Sequence, residues 1–246
     1  MRELRIIGLE GIPEVVRGDD VAALVGEAAE RVGGLVDDDV VVVAQKIVSK
    51  AEGRVVRLAG VRPSRFAQGI SGGRDARQTE VILREAARIV RLRPPLLIAE
   101  THHGFVCASA GVDASNAPAE DALVLLPEDP DASARRIRSR LQELTGRRVA
   151  VIVSDSFGRA WRQGTTDVAI GSAGMGVLLD LHGRRDPVGY ELHATTIAVA
   201  DEISGAAELV MGKTDRVPSV IVRGVHVAGD GSARELTMPP GRDLFR

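Results

Sequence analysis

Asp37-Asp38-Asp39-Val40-Val41-Val42-Val43-Ala44-Gln45-Lys46 places three carboxylates before four consecutive valines, then two long polar side chains. Four β-branched residues in a row favour extended backbone, and an unbroken apolar run reads as a strand covered on both faces, entered here from a polar turn. Gln45-Lys46 and Ser49-Lys50 therefore sit at or just beyond the strand's end. Upstream, Leu4 to Leu9 is a short strand candidate closed by Glu10-Gly11-Ile12-Pro13. Asp19-Asp20 can cap a helix carrying Val21, Leu24, Val25 and Ala28 at helical spacing.

Downstream, residues 64–72 and 75–92 read as helices, the second from Val81, Ile82, Ala86, Ile89 and Val90, with Pro94-Pro95 ending it. Leu96 to Glu100 and Phe105 to Ala108 read as strands, and 130–145 as an Arg-rich helix. Arg148 to Val153 is a further strand, as is Val168 to Gly171. Thr195 to Met211 carries a strand end and a helix, and Pro218 to Val227 alternates as a strand. Helices and strands succeed one another irregularly, so the expected fold class is mixed α/β (α+β) rather than a regular parallel sheet.

Composition narrows the function classes. A chain of 246 residues can bury a large core, and 44% hydrophobic with 27% charged residues is ordinary for a soluble protein. A net charge of −2 and 2% aromatics exclude a general nucleic-acid binder and a base-stacking platform. One cysteine, Cys107, allows no internal disulfide. The segment Met1 to Arg5 is not a signal peptide, and no membrane span is expected; a cytoplasmic setting fits.

Two fragments offer oxygen ligands. Asp155-Ser156 follows the strand that ends at Ser154, where a carboxylate and a hydroxyl make half a Mg²⁺ site; the alternative is an Asp closing a turn. Ala110 to Asn116 is a loop in which Asp113 could complete a carboxylate pair and Asn116 could orient a phosphate or water; the alternative is a solvated loop with Asx turns. Lys46, Lys50, Arg159 and Arg162 follow strands and suit phosphate. The Arg136 to Arg140 run reads as a helix face. Gly212-Lys213-Thr214 is not a P-loop, because Ala207 stands where a glycine is needed and a helix precedes it, with Gly212 as its cap; there is no Rossmann fingerprint either. The five histidines lack metal spacing and read as structural or surface residues, His102-His103 being the pair nearest the loop.

Several stretches recur together in one family: Gly11 to Glu14, Gly18 to Asp20, Ile47 to Arg54, Ala110 to Asn116, Leu125 to Pro127 with Asp129 to Asp131, Ile152 to Arg159, Thr166 to Gly171, Ala200 to Glu202, and Glu208 to Lys213. In that order the chain resembles the coenzyme F420-0:L-glutamate ligases, or F420 gamma-glutamyl ligases. The resemblance implies a homodimer, with residues 1–246 forming one ligase domain of two closely packed subdomains around a groove for GTP, divalent metal and the deazaflavin. It puts the nucleotide against Gly11, Ile12, Pro13, Glu14, Gln45, Lys46, Lys50, Asn116, Met211, Gly212, Lys213, Thr214, Asp215, Arg216 and Val217. The metal, Mg²⁺ or Mn²⁺ with K⁺ as a further candidate, falls to Asp113, Asp155 and Ser156.

Two positions depart from the family pattern. Lys213 stands where some members carry an acidic residue, and a protonated lysine cannot ligate a metal. Gln45-Lys46 stands where some relatives carry small hydroxyl residues. The stretch Ala233 to Phe245 resembles the point where bifunctional actinobacterial members continue into a flavin-binding domain, so a stand-alone ligase and an N-terminal domain are both open.

The expected reaction joins L-glutamate to F420-0 through an acyl phosphate formed with GTP, then adds γ-linked glutamate. Asp155, Asp113, Lys50 and Arg159 would carry the catalysis. The alternatives are another metal-dependent nucleotide-using amino-acid ligase, or a deazaflavin-binding domain without catalysis.

Overall fold

The computed structural model describes residues 3–244, apart from the Pro240 side chain. Met1, at the start of the leader reading, and Phe245, at the end of the tail resemblance, lie outside them. The elements run β1 (Arg5–Gly8), α1 (Val21–Glu30), β2 (Val40–Ala44), α2 (Gln45–Ala51), β3 (Val55–Arg57), α3 (Arg65–Ile70), α4 (Ala76–Glu85), β4 (Ala86–Arg93), β5 (Leu96–Thr101), β6 (Val106–Ala108), β7 (Ala122–Val124), α5 (Pro130–Thr145), β8 (Ala150–Gly158), β9 (Thr165–Ala173), β10 (Leu179–Asp180), β11 (Thr196–Ile197), α6 (Val199–Met211) and β12 (Ser219–Arg223).

The valine run is the middle strand of a five-stranded sheet ordered β1-β12-β2-β8-β9. Only β2 and β8 are parallel, with Val41 opposite Val151 and Val42 opposite Ile152; the other pairings are antiparallel. Successive strand residues face opposite ways, so Val41 and Val43 join a core with α1 and α5, including Val25, Ile137 and Leu141. Val40 and Val42 join a second core with α6, including Ile203, Ala207 and Met211. Two covered faces explain a run with no polar alternation, and the fold is α+β as expected.

The capping residues also act as read. Asp20 Oδ1 accepts from Ala23 N at 3.0 Å to start α1. Among the three aspartates, Asp39 is fully buried and accepts twice at 2.8 Å from Arg223 of the neighbouring β12. The polar turn is thus tied to the sheet rather than merely solvated.

Between α2 and α5 lie a two-stranded sheet, β3-β7, and a three-stranded sheet, β4-β5-β6, with small cores around Val81 and Leu123 and around Ile82, Leu97 and Ala99. Here the helix expected over 75–92 is corrected: α4 stops at Glu85 and Ala86–Arg93 is a strand paired with β5. Register shifts between Ala86 and Arg88 and between Ile89 and Arg91 interrupt the strand's alternation. Those bulges leave the apolar residues at a spacing that imitates a helix, and pairing with β5 overrides local propensity. Among the described residues no helix is long and apolar enough to cross a membrane.

Candidate functional site

The strand expected to end at Ser154 continues to Gly158 as a hairpin with β9. Its parallel partner β2 does stop there, with Ala44 opposite Ser154. Asp155 and Ser156 therefore stand beyond the end of β2, beside the start of α2. A cleft of about 950 Å³ opens at this place. Lys46, Lys50, Asp155, Ser156, Asn116 and Lys213 all line it, together with Ile12 to Glu14, Gln45, Met211, Gly212, Thr214, Arg216 and Val217. Stretches distant in sequence meet around this one cleft.

Lys46 joins the two carboxylate fragments. Its Nζ lies 2.6 Å from Asp113 Oδ2 and also meets Ser115 Oγ. Asp113 Oδ1 accepts from Ser115 N at 2.8 Å, so the loop does form an Asx-type turn. Main-chain hydrogen bonds between Asp113 and Val124 anchor it to β7. The turn reading and the ligand reading of Asp113 thus hold together. Burial raises the Asp113 pKa, but hydrogen bonds from Lys46 and Ser115 outweigh it and hold the carboxyl below its usual range.

Asp155 is the opposite case. Burial pushes its pKa up to about 7; the Ser156 N–H and Lys46 pull it down, while Asp167 and Asp113 push it further up. The cation that acts on it is already paired with Asp113, leaving a carboxyl short of positive charge. The same carboxylate acts on Cys107 of β6, whose thiol is pushed up to about 12 chiefly by burial. Such a thiol stays protonated, which gives Cys107 no nucleophilic role.

The other expected residues divide. Lys50, almost wholly buried, pairs with Glu14, which is largely exposed. Gln45 is committed to structure, donating to Ser49 Oγ at 2.6 Å and to Leu125 O at 2.8 Å. Met211 and Val217 are buried in the α6 core and pin the ends of a loop whose residues 212–216 are exposed. Asn116 Nδ2 reaches Lys213 O at 3.5 Å across the cleft mouth. Gly11, Asp113 and Asp215 are not among the residues lining the cleft; Asp113 adjoins it through Lys46, which does line it.

Arg159 is not brought in. It is exposed past the end of β8 and donates to Gln163 O at 3.3 Å at the hairpin tip. The Arg136 to Arg140 run is a helix face, with Arg136 on Glu52 and Arg140 on Asp20. His103 Nε2 donates to Pro127 O at 2.9 Å, and its ring stacks on Phe105.

Sequence reasoning missed Asp167 and Glu208 as site residues, although both line the cleft. Asp167 is buried on β9, where Ser154 and Ser156 both donate to it. Its own N–H donates to Glu208 Oε2 at 3.0 Å. The available signal was a carboxylate opening an otherwise apolar strand, Asp167-Val168-Ala169-Ile170.

Comparison with known proteins adds the family. The family model for F420-0:Gamma-glutamyl ligase matches residues 11–224. The coenzyme F420:L-glutamate ligase of Methanothermobacter thermautotrophicus is 45% identical over 251 residues, covering 99% of both chains. The protein of the same name from Methanopyrus kandleri is 46% identical over 257 residues, covering 100% of both. That from Archaeoglobus fulgidus is 41% identical, covering 99% of this chain and 96% of its own. With a match running through β2, the Asp113 loop, β8 and α6, this chain belongs to the F420-0:gamma-glutamyl ligase family.

Proposed function

We propose that this protein forms an amide bond between L-glutamate and the deazaflavin coenzyme F420-0, driven by GTP through an acyl phosphate, and then adds further γ-linked glutamate. The observation that carries the reading is one cleft lined by two lysines, Lys46 and Lys50, by Asp155 and by residues of the 212–216 loop. Relatives that match along 99–100% of their length bear the name coenzyme F420:L-glutamate ligase, which supports the joining of glutamate to the coenzyme.

Amide formation from a carboxylate is uphill in water, so activation must precede attack by the amine. The protein's part is to hold several anions together and offset the charge that develops. Lys50 and Lys46 are placed to exchange their carboxylate partners, Glu14 and Asp113, for phosphate oxygens. Loop 212–216 and Asn116 would close over the nucleotide from opposite sides.

Asp155, Asp113 and Ser156 would hold a divalent cation. Among the described residues no three His, Cys, Asp or Glu side chains form a ready metal cage. Mg²⁺ and Mn²⁺ bind through one or two carboxylates and complete their shell with water and phosphate. The charge-poor carboxyl of Asp155 is the group such an ion would satisfy. When bound, the ion supplies Lewis acidity at the phosphate oxygens. Arg159, at its hairpin tip, has no part in this scheme.

The test is mass spectrometry of purified protein incubated with F420-0, L-glutamate, GTP or ATP, and Mg²⁺ or Mn²⁺. Stepwise gain of glutamate mass with GTP is expected. Deazaflavin binding without any mass gain under every nucleotide and metal would defeat the ligase reading.

A further inference from the structure

Asp167 is 6% exposed and lies directly opposite Ser156 in the β8-β9 register. Each carboxylate oxygen is taken by a serine of β8: Oδ2 accepts from Ser154 Oγ at 2.9 Å, and Oδ1 from Ser156 Oγ at 2.6 Å. A carboxylate has no proton to give, so both hydroxyl protons must point at Asp167. An ordinary serine hydroxyl rotates freely. The Ser156 proton is instead turned into the sheet, which leaves the oxygen's lone pairs for the cleft that Ser156 lines.

The pairing depends on an irregularity. Val153 pairs with Gly171, but Ser154 pairs with Ala169, so Ile170 is an extra residue on β9. Without that bulge the register would place Val168, not Asp167, opposite Ser156, and the carboxylate would face Phe157. A one-residue slip carries a side chain to the wrong partner and the wrong face. Glu208 of α6 then holds the Asp167 main chain through its N–H.

We propose that Asp167 is a positioning residue, which fixes the Ser156 hydroxyl as an oxygen ligand aimed at a divalent cation in the cleft. The inference rests on the reading above that Asp155 and Ser156 hold that cation. Hydrogen-bonded partners of metal ligands generally contribute about 10–100-fold to affinity. The competing explanation is that Asp167 only stitches β8 to β9.

Mn²⁺ alone, titrated into metal-free protein and followed by the electron paramagnetic resonance of the free ion, separates the two. Asp167→Asn and Ser156→Ala should each weaken Mn²⁺ binding by about 10–100-fold. The double variant should bind no more weakly than Ser156→Ala alone, because a positioning group without its target has nothing to position. Thermal unfolding of each variant reports folding. If Asp167→Asn does not fold, Asp167→Glu, which keeps the charge but displaces it by one methylene, enters the same cycle.

Wild-type affinity in folded Asp167→Asn, or an Asp167 loss that adds in full to that of Ser156→Ala, overturns the proposal. So does wild-type affinity in Ser156→Ala, since the hydroxyl is then no ligand. Weakened binding in both Asp155→Asn and Ser156→Ala, with wild-type affinity in Asp167→Asn or an Asp167 loss that adds in full, would leave the cation reading intact and remove only the Asp167 role. No Mn²⁺ binding by wild-type protein at millimolar metal, or binding unchanged in Asp155→Asn, overturns both.

Discussion

The Lys46 ammonium of α2 sits 2.6 Å from the Asp113 carboxylate on the loop that β7 anchors, joining side chains 67 positions apart. Through that contact one cation serves two carboxyls with opposite fates. Asp113 is held ionised by direct hydrogen bonds, and Asp155, served only at longer range, is driven towards neutrality by burial.

Removing Lys46 should therefore disturb both carboxyls. Lys46→Met is expected to reduce GTP-dependent ligation by about 10²-fold or more, the scale of losing a charge-stabilising group. Its KM for GTP should rise as well. Steady-state kinetics with F420-0 and glutamate check this, and a variant with wild-type kcat/KM would take Lys46 out of the site.

Asp155→Asn should cost turnover on the same scale, while His182→Ala, at an exposed position, should not. The same change has an opposite effect on the metal-free protein's stability. The Asp155 pKa is raised on folding from 3.8 to about 7, so the folded state binds more protons than the unfolded state between those values. Stability then falls as pH rises through that window and levels off above it. Asparagine resembles the neutral carboxyl and carries no such penalty. The melting temperature of Asp155→Asn relative to wild type, measured with a chelator, should climb from pH 4 to 7 and stay constant from 8 upward. A difference independent of pH would show that Asp155 is not the titrating group.

Lys50 and Glu14 form a pair of unequal exposure, 7% and 69% for their side chains. Glu14→Gln leaves the buried ammonium without its carboxylate, which should destabilise the free protein by about 1–3 kcal/mol. For a chain of this size that is about 2–4 °C of melting temperature per kcal/mol. GTP, supplying its own anionic oxygens to Lys50, should restore much of the loss. Calorimetric melts with and without nucleotide decide it, and an equal deficit in both would place Lys50 away from the phosphates.

How much of this could be read from the chain depended on whether the deciding interaction was local. The valine strand, the Asp20 cap and the end of α6 at Gly212 rest on neighbouring residues, and all three are where local chemistry puts them. Residues 86–92 read as helix because two bulges disguise a strand whose partner is β5. Arg159 was placed by assuming that β8 ends at Ser154; pairing with β9 carries it to the hairpin tip instead. Asp167 and Glu208 gain their meaning from each other across 41 positions, a relation that composition and spacing do not announce.

Gly212 offers a last test, of the role proposed for the 212–216 loop. It ends α6 with φ 54° and ψ −175°, and its N–H donates to Glu208 O at 2.9 Å. That backbone region is essentially reserved for glycine, at a cost of about 1–3 kcal/mol for other residues. A Cβ there would also lie 2.2 Å from Asp215 Oδ2, so Asp215 would have to move and drag the exposed loop with it. Gly212→Ala should lower the melting temperature by a few degrees and raise KM for GTP more than it lowers kcat, since the loop's shape, not the carboxylate wall, is altered. Gly69→Ala is the control, because Gly69 is inside α3 with open space around its Cβ position. There, alanine's better helix propensity should leave stability unchanged or slightly higher. If Gly212→Ala melts lower but keeps its KM for GTP, the 212–216 loop is a structural cap on α6 and not a wall of the nucleotide site.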